Sequence, residues 1–149
     1  MRQFDHERLE VYQLAADFFV LADGWFKKRI LSRRTVLGDQ LSRSAVSMPL
    51  NIAEGAGEFR PKEKARFYRI ALRSTSESAA AVGLFARAGD LAADAAEEGR
   101  ALLLRIAPML VRLCRTHDPS FLRKNTRATA PKSAEAREHS DSGSGSGSG

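Results

Sequence analysis

Residues 47–58, SMPLNIAEGAGE, decide how the chain folds. Leu41, Ala45, Met48 and Ile52 recur at spacings of four, three and four, the beat of one helix face. Pro49 interrupts that beat, and a proline inside a helix removes a hydrogen bond and clashes with the carbonyl four residues back, at a cost of about 3 kcal/mol. The helix survives if polar groups repair the damage. Ser44, Ser47, Asn51 and Glu54 form a second row beside the apolar one, and Ser74, Glu77 and Ser78 form a similar row later in the chain. Two such rows, facing each other, satisfy one another, and a hydroxyl or amide is at hand for the Ala45 carbonyl that Pro49 frees. Ser47, Asn51, Glu54, Ser74 and Glu77 are therefore expected to form a structural polar network that sets helix register.

Working outward, helical periodicity continues in both directions. Leu9, Tyr12, Ala16, Phe19 and Val11, Ala15, Phe18, Ala22 are adjacent rows of a first helix from Asp5 to about Asp23, closed by Gly24. Thr35 is a suitable N-cap for the second helix, which runs from about Val36 into the AEGAGE segment, where Gly55 and Gly57 end it. Pro61 suits the first turn of a third helix reaching Ala88, with Phe67, Ile70, Ala71, Ser74, Ala81 and Leu84 or Phe85 expected inside. A fourth runs from Asp94 to Thr116, with rows through Leu102, Ile106, Met109, Leu113 and Leu103, Ala107, Leu110, Cys114. No stretch alternates with a strand's period of two. The expected fold is all-α, an antiparallel up-down four-helix bundle over residues 1–116, with 117–149 a disordered polar tail ending in Gly/Ser repeats.

The 149 residues carry a net charge of +6, and most of the excess lies in residues 1–116, with 19 basic and 14 acidic side chains. That balance favours anionic partners. A single cysteine excludes an internal disulfide framework, and no Cys or His pair has metal-ligand spacing, so neither metal nor cofactor is expected. The acidic N-terminus lacks the apolar core of a signal peptide, and no run is long enough to span a bilayer, so a cytoplasmic protein without membrane contact is expected. His6, His117 and His139 lie outside or at the ends of the apolar pattern, and Cys114 falls on a buried row. Gly55-Ala56-Gly57 has Arg60 where a dinucleotide fingerprint needs glycine. No nucleophile, base and oxyanion set assembles, so no catalytic residue and no enzyme activity are expected.

Leu9-Glu10-Val11-Tyr12-Gln13, Asp39-Gln40-Leu41 with Arg43, Ser47-Met48-Pro49-Leu50-Asn51-Ile52-Ala53-Glu54-Gly55, and Arg66-Phe67-Tyr68-Arg69-Ile70-Ala71 with Ser74 and Glu77 resemble the four-helix bundle family of 23S ribosomal RNA intervening-sequence proteins. That family is related to the accessory variability determinants of diversity-generating retroelements. The resemblance implies a basic homopentameric barrel that binds a reverse transcriptase and nucleic acid. Where the family carries Arg-Gly-Ser on the third helix, this chain has Leu72-Arg73-Ser74.

That arginine completes a stripe. Lys62, Arg66, Arg69 and Arg73 are spaced four, three and four, with Arg60 and Lys64 flanking its start. Such a stripe suits phosphates, although no aromatic platform for bases accompanies it in the sequence. Lys27, Lys28, Arg33 and Arg34, in the first connection, are the second cationic candidates. Leu104 and Val111 widen the apolar surface of the fourth helix beyond what a bundle needs, which points to self-association. The expected function is that of a homo-oligomeric accessory factor binding RNA or DNA through phosphates; the alternative is a protein adaptor whose basic face docks a partner such as a reverse transcriptase.

Overall fold

A computed structural model describes residues 1–121. It contains four helices and, among the described residues, no strand: α1 (Glu10–Lys27), α2 (Val36–Gly57), α3 (Pro61–Ala88) and α4 (Ala93–His117). Each helix packs on the next, and α4 returns to α1, closing a four-membered ring around one shared core, with close backbone approach between neighbours only. The expected tail beyond residue 121 lies outside the described residues. The first residues of the tail expected from 117 onward do not leave the bundle: His117 ends α4, Asp118 is buried, and Phe121 packs against the core.

α1 differs from the sequence reading at both ends. Asp5–Arg8 form a separate 3-10 turn, whose Phe4 N–H is held by the Glu7 carboxylate at 2.7 Å. At the other end Gly24 does not stop the helix, because Trp25 and Phe26 beyond it are buried, and their burial outweighs the modest helix penalty of one glycine. The chain turns instead at Arg29, whose φ of 59° is left-handed. The Thr35 cap forms as expected: its Oγ1 accepts from the Gly38 N–H at 3.0 Å. α3 ends at Gly89, where φ of 83° closes the helix and Asp90 N–H reaches the Phe85 carbonyl.

The core follows one row of each helix. Val11, Ala15, Phe18 and Ala22 come from α1, Leu41, Ala45, Met48 and Ile52 from α2, and Leu103, Ile106, Leu110 and Cys114 from α4. In α3 the expected face is rotated. Phe67 and Ile70 are only half-buried and Leu84 is exposed, while Ala65, Tyr68, Thr75, Ser78 and Val82 join Ala71, Ser74, Ala81 and Phe85 inside. Small residues bring α3 close to α2, and larger side chains at the flanks seal the edges.

Pro49 is buried within an uninterrupted α2. The repair expected at the Ala45 carbonyl does not form: among the described residues no side chain donates to it, and the polar groups tie other atoms of α2 instead. Asn51 donates through Nδ2 to the Ser47 carbonyl at 2.8 Å and the Ser47 hydroxyl at 3.0 Å, and Ser44 donates to the Leu41 carbonyl at 3.3 Å. Across the helix pair, Ser44 and Ser78 hydroxyls meet at 2.8 Å, and Ser74 donates to Ser47 at 2.9 Å. Glu54 and Glu77 were expected in this network, but both are exposed. Burying a carboxylate between helices would demand a charged partner, and hydroxyls alone already satisfy the seam.

Candidate nucleic-acid interface

The cationic candidates divide between the two ends of α2, a 22-residue helix about 33 Å long, so they do not form one surface. At the α1–α2 end, Asp23 collects Lys27 at 2.7 Å and Arg33 at 2.6 Å. The Lys27 hydrogen bond, aided by the Arg33 charge, holds the Asp23 carboxyl below its ordinary range. Arg33 also lies over the Phe26 ring, 4.4 Å from its centroid, and reaches the Ser42 hydroxyl. Lys27 and Arg33 are paired within the connection itself, whereas Lys28 and Arg34 make no ion pair among the described residues; all four are exposed.

At the α2–α3 end the cations have three fates. Lys64 turns inward: its Nζ donates to the Gly55 and Ala56 carbonyls at 2.9 and 3.0 Å and so neutralises the C-terminal end of α2. Arg69 is half-buried and pairs with Asp118 at 3.6 Å, fixing the chain just after α4 against α3. Arg60, Lys62, Arg66 and Arg73 stay exposed. Arg66 pairs with Glu63 at 3.0 Å and rests over Phe67, 4.5 Å from the ring centroid, which holds its guanidinium plane in place. The stripe expected from spacing is therefore interrupted at Arg69, and its acidic partners are Glu63, one turn away on the same helix, and Asp118, just past the end of α4.

Beneath this surface the end of the bundle is closely packed. Gly55 lies against the Tyr68 ring, where an added Cβ would come within 2.7 Å. Tyr68 meets His117 at 5.9 Å between ring centroids, and Cys114 lies one turn before it in α4. Burial dominates all three groups. It raises the Tyr68 hydroxyl above its ordinary range, pushes the Cys114 thiol up to about 11, and, with the nearby Lys64 charge, lowers His117. The Cys114 S–H faces the Ala65 carbonyl at 4.0 Å, and the side chain is fully buried. These are packed groups that resist ionisation. Among the described residues, no group of three or more His, Cys, Asp or Glu side chains is placed to hold a metal ion, and no helix is long and apolar enough to cross a membrane.

The seam and the surface above it fall within one matched segment. The family model described as 23S rRNA-intervening sequence protein matches residues 7–112. The chain belongs to that family. The match takes in the whole of α2 and α3, including Arg60, Lys62, Arg66 and Arg73, and stops short of Cys114, His117 and Asp118. No curated protein gives a significant match.

Phe59 was missed by the sequence reading. It precedes Arg60 in the turn between α2 and α3 and is almost wholly exposed. The signal that would have found it was its position, an aromatic residue in a turn three residues before Lys62.

Proposed function

We propose that this protein is a non-enzymatic, homo-oligomeric accessory factor that holds nucleic acid through the phosphate backbone along the first half of α3. The carrying observation is that Arg60, Lys62, Arg66 and Arg73 expose cationic groups there, on a basic chain, while Glu63 orients Arg66. Guanidinium and ammonium groups so displayed fit phosphate oxygens without reading base identity. Leu104, 59% exposed, with Ala101 and Pro108 on the outward side of α4 and Val46 and Leu50 on α2, supports self-association. A pentamer is what the sequence resemblance implies.

The test uses Lys62→Gln with Arg73→Gln, which spares the Arg69–Asp118 pair. Binding of RNA or DNA should weaken steeply with salt, and the double variant should flatten the log-log slope by about one to two units across unrelated sequences. An unchanged slope overturns this surface. Light scattering that finds a folded monomer at micromolar concentration overturns the oligomer.

The second reading is an adaptor that docks a protein such as a reverse transcriptase. The Arg66–Glu63 pair favours it, since it has this basic face already engaging a carboxylate, the group an acidic protein surface would present. Absence of nucleic-acid binding at low salt, with retention of an acidic protein partner, selects this reading.

A further inference from the structure

The corner between α2 and α3 displays an aromatic ring that the fold does not use. Phe59 is 94% exposed, whereas Phe18, Phe26 and Phe85 are buried. The turn that carries it is held from both sides. The Glu58 carboxylate accepts from the Phe59 and Arg60 N–H groups at 2.9 and 3.2 Å. Lys64 ties the last carbonyls of α2, and Gly55 lies against Tyr68 directly below. The backbone that presents the ring is therefore already in place when a partner arrives, and only the side chain is left to order.

The surroundings state the chemistry of that partner. Arg60 follows Phe59 directly, and Lys62 and Arg66 lie within the next two turns of α3, a rise of about 5.4 Å each. The acids closest in sequence are already engaged, Glu58 by the backbone of the turn and Glu63 by Arg66. The Arg66 guanidinium, half-exposed and backed by Phe67, offers a second flat cationic face. An aromatic ring beside clustered cations combines stacking with phosphate neutralisation, the pairing that single-stranded nucleic acid requires. A duplex offers its phosphates to such a surface, but its bases are stacked on one another.

We propose that Phe59 is a stacking platform for an unpaired base, so that the preferred occupant of this surface is a single-stranded segment whose flanking phosphates lie on Arg60, Lys62 and Arg66. This inference rests on the phosphate-binding reading and adds a substrate class to it. Because every base has a π-face, the platform is tolerant of sequence.

The experiment measures fluorescence anisotropy with a labelled 20-nucleotide oligo(U) and a 20-base-pair RNA duplex, for the full chain and for Phe59→Ala and Phe59→Trp. Phe59→Ala should weaken oligo(U) binding about tenfold, leave the duplex within about twofold, and leave the salt slope on oligo(U) unchanged, since stacking releases no counterions. Phe59→Trp should restore the affinity. An oligo(U) affinity that is unchanged, or a loss shared equally by the duplex, overturns the platform while leaving phosphate binding intact. Loss of self-association in Phe59→Ala by light scattering assigns the ring to a subunit contact and also overturns it. If the parent binds neither probe at low salt, the phosphate-binding reading itself fails.

Discussion

The α2–α3 and α1–α4 seams close the same bundle by different means. Between α2 and α3 the contact is made by hydroxyls and small side chains: Ser44 with Ser78, Ser47 with Ser74, and Gly55 against Tyr68. Between α1 and α4 it is made by shape, with Trp25 and Phe18 fitted to Gly99, where an added Cβ would approach them to 2.9 and 3.4 Å. On the outer side of the same stretch, Asp17, Leu21, Glu98, Ala101, Leu102 and Arg105 line an open groove of about 410 Å³, and Arg105 reaches Glu10 at 3.1 Å in an exposed pair. A hydrogen bond fixes register because it works at one alignment only, while a buried aromatic ring contributes more free energy through the apolar area it removes from water. The polar seam therefore specifies, and the aromatic seam stabilises.

The largest expected effect separates these roles. Phe18 is fully buried, and Phe18→Ala should cost about 3–5 kcal/mol by urea unfolding, with secondary structure retained at low denaturant. A loss under about 1 kcal/mol would mean that the aromatic seam is not where stability resides.

A smaller effect tests specification. Ser78→Ala should cost about 1 kcal/mol, and Ser44→Ala with Ser78→Ala should cost less than the two single changes together, because removing both partners leaves no orphan. Strict additivity would show that the 2.8 Å contact carries no coupling. Glu77→Ala, on the exposed side of the same helix, should stay within about 0.5 kcal/mol.

The smallest effect lies where the polar seam meets the end of α4. Burial lowers His117 below its ordinary 6.5, so the unfolded chain binds its proton first. Its contribution is fully present above pH 6.5 and is lost as pH falls from there toward the depressed folded value. His117→Gln should flatten the dependence of melting temperature on pH across that window; an unchanged profile would place the histidine in water.

What the sequence made legible were features carried by one helix at a time. Thr35 and Gly89 mark ends by local chemistry, and the Leu41 to Ile52 row announces its own burial. The rotation of α3 was hidden because Ala65, Thr75 and Ser78 carry little hydrophobic signal, although all three are buried. Glu54 and Glu77 share a helical row with Asn51 and Ser74, yet a row fixes direction only to within a wide arc, and at its margin a carboxylate reaches water. The cationic site was legible in its residues but not in their commitments. Arg69 with Asp118, Arg33 with Asp23 and Lys64 with two carbonyls are pairings that only folding brings together.

Cys114 gives the molecule a built-in clock. As the chain's one thiol, buried and held protonated up to about pH 11, it is closed to alkylating reagents while α3 and α4 stay together. Its labelling rate at neutral pH therefore counts openings of that helix pair. A cysteine introduced on the surface would take a dye or cross-linker with almost no background from the native one, so a labelled site can be followed without first removing a side chain from the core.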